Sequence, residues 1–286
     1  MEFQSALAEQ RYVDLVDDAH LAVVGLDFDG VLAPIVPEPD QAHIHPDGPE
    51  VLVNLADQVK AVAVVTGRPA RQAVALGGLD DVGAAIAERG HDLLVLGQYG
   101  NERWSATDRR VLSPRPPKGL ASFMVELPDV LRAEGLGDAH LEEKGLAVAV
   151  HTRRMADPKG ALLALEPVLR ARAEKYGLVL EPGRLVIEVR APGMNKGEAV
   201  RGLQRELRAD AFVFIGDDLG DVAAFRAVMD LRRRGMLGLL VCSASEEQPA
   251  LAELADVIVD GPDGVMSLLR EFTAAAGRRT VPSRGD

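Results

Sequence analysis

Cysteine is almost missing from this sequence. Cys242 stands alone among 286 residues, which excludes an intramolecular disulfide and leads us to expect a reducing, cytoplasmic setting. Its neighbours Leu237–Val241 form an apolar run, so Cys242 reads as a small core residue. Aromatic residues are also scarce, at 4% with a single tryptophan, and Trp104 reads as a packing residue at a domain hinge rather than a platform for a sugar ring. No apolar stretch approaches the roughly 18 residues of a membrane span. The first twenty residues carry Glu2, Glu9, Asp14, Asp17 and Asp18 and lack the basic-then-apolar order of a signal peptide. Basic residues are the minority charge, 32 Lys and Arg against 44 Asp and Glu, for a formal net charge of −12. Such a surface repels nucleic acid and anionic membrane, so neither is an expected partner, and an anionic substrate needs a local cation to hold it.

What is present is apolar material in short pieces. Hydrophobic residues make up 47% of the chain, enough for one domain with an insertion or for two domains. Leu21–Leu26, Ala61–Val65, Leu93–Leu96, Ala211–Ile215, Leu237–Val241 and Val257–Val259 are continuous Val/Leu/Ile-rich runs, as in parallel strands covered on both faces. Helical patterns alternate with them at Pro49–Gln58, Pro69–Leu76, Lys196–Leu207, Asp221–Arg233 and Gly264–Ala275. The alternation predicts a doubly wound parallel α/β sheet. The middle of the chain breaks the rhythm: a short hairpin, a helix near Leu120–Glu134, a strand at Gly145–His151 and a helix at Pro158–Tyr176. Strands Leu178–Glu181 and Arg184–Val189 then close it, joined at Pro182-Gly183. The expected organisation is a helical extension at 1–20, a core at 21–102 and 190–276, an inserted α+β cap or lid at 103–189, and a disordered tail at 277–286.

Four polar motifs follow core strands, where ligands bind in open α/β sheets. They are Asp27-Phe28-Asp29-Gly30, Thr66-Gly67-Arg68, Asn195-Lys196-Gly197, and Gly216-Asp217-Asp218 followed by Asp221. Singly each has a bland explanation: Asp-x-Asp marks turns, Thr-Gly and Asp-Asp cap helices, and a Lys at a helix start is usually solvated. Their coincidence at strand ends is what carries information. Carboxylates facing one point repel and call for a divalent cation, and hard oxygen ligands suit magnesium. One carboxylate can attack phosphorus while a second, two residues on, moves the proton. A hydroxyl and an ammonium hold the remaining phosphate oxygens in line. His43 and His45 could imitate a metal pair, but no third ligand is near in sequence and a surface loop is the better reading.

This set of motifs resembles the haloacid dehalogenase-like (HAD) phosphohydrolases over roughly Leu21 to Leu269. The resemblance implies Asp27 as nucleophile and Asp29 as general acid/base, with its backbone carbonyl offered to magnesium. It implies Thr66 and Lys196 as catalytic phosphate ligands, Gly67 and Arg68 beside them, and Asp217 as a metal ligand with Asp218 or Asp221 in support. Val31 replaces the usual Thr of the first motif. The interval from Asp29 to Thr66 is too short for a helical lid, while that from Thr66 to Lys196 holds the α+β insertion, a layout similar to the sugar-phosphate phosphatases.

A finer resemblance is to the trehalose-6-phosphate phosphatases. It rests on Asp27 to Ile35, on Gly97-Gln98-Tyr99-Gly100-Asn101-Glu102 with Tyr99 where that family has His, on Glu142 to Gly145 with His151 and Arg153, and on Glu188 to Gly193. Gly216 to Val222 departs at Gly220 and Val222. The implied substrate is trehalose 6-phosphate, with Lys144 and Glu188 as lid contacts to the sugar; His151 reads better as a solvated strand position, and Arg153 stays open between the two readings. Functional coupling to a trehalose-phosphate synthase goes with that expectation. The rival readings are a phosphatase for another glycosyl phosphate and a non-catalytic phospho-acceptor module like the receiver domains. The latter place their phospho-acceptor after the third strand and have no large lid.

Overall fold

The computed structural model describes residues 1–183, 185–244 and 249–280. Its strands, in chain order, are β1 Glu2–Phe3, β2 Ala22–Leu26, β3 Ala61–Val65, β4 Leu93–Gly97, β5 Glu102–Ser105, β6 Val111–Leu112, β7 His140–Glu143, β8 Ala147–His151, β9 Val179–Gly183, β10 Val186–Arg190, β11 Ala211–Gly216, β12 Leu237–Ala244 and β13 Val257–Asp260. The chain divides into two compact units, Met1–Ser113 with Asn195–Asp286, and Pro114–Met194.

The first unit is built on a sheet of order β1-β13-β12-β11-β2-β3-β4-β5-β6. From β13 to β4 every pairing is parallel, and the order reverses between β2 and β11, as in a doubly wound fold. Strand residues divide by alternation between two cores. Val24, Leu26, Val62, Val64, Val213 and Ile215 join the helices Gly48–Ala56, Leu79–Glu88 and Gly261–Thr280 on one face. Val23, Ala63, Val65, Phe212 and Phe214 join Lys196–Leu207 and Val222–Arg233 on the other. Burial on both faces is why these strands read as unbroken apolar runs.

Several expectations are corrected. The helical extension, Ala6–Asp17, is preceded by a strand: β1 pairs antiparallel with β13. The hairpin expected in the insertion belongs to the core sheet, where β5 and β6 continue it antiparallel from β4, so the units divide at Ser113/Pro114 and Met194/Asn195. Antiparallel strands need no crossover helix, so the βα rhythm gave no sign of them. Trp104 lies in β5, only 4% exposed, in the first unit's core rather than at a hinge. The helix Leu79–Glu88 was not anticipated, although Leu79, Val82, Gly83 and Ile86 form its buried stripe. Residues 277–280 complete the helix Gly261–Thr280 instead of starting a disordered tail; 281–286 lie outside the described residues.

The second unit is a four-stranded antiparallel sheet, β7-β8-β10-β9, packed with the helices Leu120–Ala133 and Pro158–Lys175. Pro182 and Gly183 do not form its turn: they pair with Ile187 and Val186, and Leu185, at φ 56°, lies beyond them. β9 is an edge strand, where a missing N–H is tolerated. Among the described residues no helix is long and apolar enough to cross a membrane.

Candidate active site

The site begins where the sheet order reverses. β2 and β11 are neighbours in parallel register, so Asp27 and Asp217, the residues that follow them, leave the same edge side by side. The Asp27 N–H donates to the Ile215 carbonyl at 2.9 Å, and its carboxylate accepts from the Phe28 N–H at 2.7 Å. Lys196 reaches the same point from the first turn of its helix, which Asn195 caps by accepting from the Glu198 N–H at 3.1 Å. Its Nζ lies 2.7 Å from Asp27 Oδ2 and 2.7 Å from Asp221 Oδ1.

The turn after β11 is wound around Asp221, which is fully buried and accepts from the Asp217 N–H at 3.0 Å and the Asp218 N–H at 3.4 Å. Asp218 in turn accepts from the Gly220 N–H at 2.8 Å. Two glycines make the crowding feasible. Gly30 sits at φ +72°, and a Cβ there would lie 2.2 Å from Asp217 Oδ2; one on Gly216 would lie 2.5 Å from Asp221 Cγ.

Asp27, Asp217, Asp218 and Asp221 each offer an oxygen within 4.8 Å of the others, the one such group among the described residues. Burial pushes the Asp27 carboxyl well up, with Asp221, Asp218 and Asp29 adding to the rise against the pull of Lys196. Burial and the charges of Asp27, Asp221 and Asp218 push Asp217 up to about 9. Burial would lower the Lys196 ammonium, but Asp221, Asp27 and Asp218 outweigh it and hold it well above the ordinary lysine range. Four clustered carboxylates against one ammonium leave an excess of negative charge, and an all-oxygen set of this kind fits a hard divalent cation.

The Asp29 carboxylate lies outside this acidic cluster, which leaves open the expected role of its backbone carbonyl. Its carboxylate is gripped by Arg68, Nε to Oδ2 at 2.7 Å and Nη2 to Oδ1 at 2.6 Å, with the guanidinium 5.6 Å from the Phe28 ring centre. Arg68, expected on the phosphate, here spends that fork on the acid. Thr66 is buried, its hydroxyl accepting from the Arg68 N–H at 3.1 Å, and Gly67 sits against the Tyr99 ring.

Lys144 and Glu188 belong to the second unit and are ion-paired there at 2.8 Å. Glu188 also accepts from Arg190 at 3.2 Å, and Arg190 reaches Glu181 at 3.1 Å. His151 lies 2.9 Å from Glu142, and Arg153 is exposed. His45 faces Asp263 at 2.7 Å, in keeping with a surface loop. Sequence reasoning took Arg190 only as part of the motif from Glu188 to Gly193 and gave it no role, and it missed Ser243 altogether. Arg190 resembles any strand residue until its partners are seen. The buried Ser243, at the end of β12, donates to the Gly30 carbonyl at 2.6 Å. Nothing near it in sequence announces that partner.

The family model described as trehalose-phosphatase matches residues 25–257. The chain belongs to the trehalose-phosphatase family. It is 30% identical over 266 residues to the trehalose-6-phosphate phosphatase of Escherichia coli (strain K12), covering 91% of this phosphatase and 90% of that protein. It is 28% identical over 268 residues to a Dictyostelium discoideum protein named alpha,alpha-trehalose-phosphate synthase [UDP-forming] B, covering 92% of this chain and 32% of that one. In fold it resembles the C-terminal domain of the C. albicans trehalose-6-phosphate phosphatase, with TM-score 0.74 at 18% identity over 96% of this chain and 98% of that one. The phosphatase is accordingly a phosphoric monoester hydrolase of the HAD superfamily.

Proposed function

We propose that this phosphatase hydrolyses trehalose 6-phosphate to trehalose and phosphate through a phospho-aspartate at Asp27. The observation that carries this reading is the buried Asp27 carboxylate, 2.7 Å from Lys196 and within the acidic group at the sheet's switch point. An Asp27 oxygen attacks phosphorus, the bond from phosphorus to the sugar oxygen breaks, and the leaving oxygen takes a proton from Asp29. Asp29 then takes a proton from water, whose oxygen attacks phosphorus and frees Asp27 and phosphate. To trade protons, Asp29 lets go of the Arg68 fork. Thr66 and Lys196 hold the non-transferring oxygens, with Gly67 offering its N–H. Asp217, Asp218 and Asp27, with the Asp29 carbonyl, are the proposed ligands of magnesium; when bound, it neutralises charge shared by carboxylates and phosphate.

Lys144 and Glu188 are the proposed sugar contacts, supported by the burial of Glu188, their ion pairing and their place in the family pattern. Cytoplasmic residence and supply of the substrate by a trehalose-phosphate synthase complete the reading; a relative that carries the synthase name over a longer chain supports the coupling. The test is kcat/KM for trehalose 6-phosphate, sucrose 6-phosphate, glucosyl-3-phosphoglycerate and glucose 6-phosphate. We expect trehalose 6-phosphate to exceed glucose 6-phosphate by on the order of a hundredfold, because each polar contact left unmatched costs roughly 1–3 kcal/mol. An equal or better rate with another of the four would remove the substrate assignment and leave the phosphatase chemistry standing.

A further inference from the structure

Three successive residues after β4 have positive φ: Gln98 at 46°, Tyr99 at 60° and Gly100 at 97°. Left-handed backbone is costly for residues with a Cβ, and two of these three have one, so neighbouring contacts must hold the turn. Two backbone contacts tie the turn to the loop of Thr66 in the first unit. The Gln98 N–H donates to the Arg68 carbonyl at 2.8 Å and the Tyr99 N–H to the Thr66 carbonyl at 2.9 Å, gripping the phosphate loop on both sides of Gly67. The Tyr99 ring fills the space between: a Cβ on Gly67 would lie 2.9 Å from Tyr99 Cζ and Oη.

The rest of the segment is as tightly placed. A Cβ on Gly100 would lie 2.7 Å from the Cβ of Ala199, in the helix that begins with Lys196, and a Cβ on Gly97 would lie 2.2 Å from the Ala70 nitrogen. Glu102 accepts from the Ala70 N–H at 2.7 Å, at the start of the helix Ala70–Gly77. One strained turn therefore touches the loop of Thr66, the Arg68 backbone whose side chain holds Asp29, and the helix of Lys196. Tyr99 is also where this chain departs from the His of the family pattern.

We propose that Tyr99 is a positioning residue for phosphoryl transfer. Its left-handed backbone and its ring hold Thr66-Gly67-Arg68 in place, so that the Thr66 hydroxyl keeps its geometry relative to Asp27. The proposal rests on the phospho-aspartate reading above but not on the identity of the sugar. Misplacement of catalytic groups by a fraction of an ångström lowers turnover more than ground-state binding.

The test compares Tyr99→Gly, Tyr99→Phe and Tyr99→His in the full chain, with both p-nitrophenyl phosphate and trehalose 6-phosphate as substrates. Glycine is at ease at φ +60°, which offsets part of the lost ring packing, so Tyr99→Gly should stay folded and melt only modestly below the wild-type temperature. Its kcat should nevertheless fall about tenfold or more on both substrates, with KM changed by less than about threefold. Tyr99→Phe and Tyr99→His keep a ring and should retain at least about a third of wild-type kcat. A loss seen only with trehalose 6-phosphate would make the ring a sugar contact and overturn the proposal. So would a glycine variant within about twofold of wild-type kcat, or one that melts well below wild type or fails to fold. Wild-type activity on p-nitrophenyl phosphate alone would count against the trehalose assignment, and the variants would still be compared on that substrate.

Discussion

At the scale of single residues, the site is a concentration of charge that the fold works to hold. Asp27 is 5% exposed, and burial and three neighbouring carboxylates oppose its ionisation. Asp27→Asn keeps the shape, removes a disfavoured charge and cannot attack phosphorus. We expect turnover to fall by about three orders of magnitude or more, with an unchanged or higher melting temperature. Substantial residual turnover would end the covalent mechanism at this position. Cys242 gives a pH-dependent counterpart. Burial, then Asp217 and Asp221, push its thiol up to about 11, whereas an unfolded cysteine titrates near about 8.5. Between these two values the thiol is favoured in the folded chain and the thiolate in the unfolded one, so this contribution to stability is complete below the unfolded value and is lost as pH rises through the folded one. At pH 8 the native protein should resist a thiol alkylating agent and the denatured protein should react; rapid native labelling would contradict the burial. Asp27, Thr66 and Asp217 were legible because each follows an apolar run, and Lys196 because it opens a helix behind an Asn cap, but the Arg68–Asp29 fork was not, since nothing in Thr66-Gly67-Arg68 tells which anion the guanidinium faces.

At the scale of elements, short connections decide more than the helices and strands they join. Asp256, just before β13, accepts from Arg11 of the helix Ala6–Asp17 at 2.6 Å, from Arg232 of the helix Val222–Arg233 and from the Leu240 N–H of β12 at 2.8 Å. It ties three elements distant in sequence, and it is 5% exposed. Asp256→Ala leaves the largely buried Arg232 unpaired and should cost on the order of 3 kcal/mol, read as a lower urea midpoint with unchanged slope. Arg11→Ala removes a side chain one-third exposed and should cost less than about 1 kcal/mol; equal losses would show that the cluster is not centred on Asp256. Strand runs and the longer helices were readable from periodicity. β1 was not, because a two-residue strand has no period of its own and exists only by pairing with β13, and β5 and β6 were legible as a hairpin but not as strands that continue the core sheet from β4.

At the scale of the whole molecule, net charge −12 and the acidic group at the switch point bear on the same question. An acidic protein that takes a phosphorylated substrate requires positive charge at the point of chemistry, and the Lys196 ammonium there is set against a group of four carboxylates. Dialysis against a chelator should abolish phosphate release, and added magnesium should restore it; full activity in excess chelator would sink the metal proposal. The fold should survive the same treatment, because the two hydrophobic cores flanking the sheet are built without the acidic group.

The sequence by itself determined the α/β class, the parallel sheet and the chemical character of the site. Each depends on local pattern: two-sided burial writes itself as continuous Val/Leu/Ile, and catalytic groups must sit where strands end. Only the tertiary structure decided which of these groups meet. Arg68 closed on the Asp29 carboxylate, Asp221 met Lys196, Ser243 found the Gly30 carbonyl, and the turn at Gln98–Gly100 closed on Thr66 and Arg68. These are pairings across sheet order and loop geometry, fixed by packing between segments far apart in the chain, and no local periodicity records them.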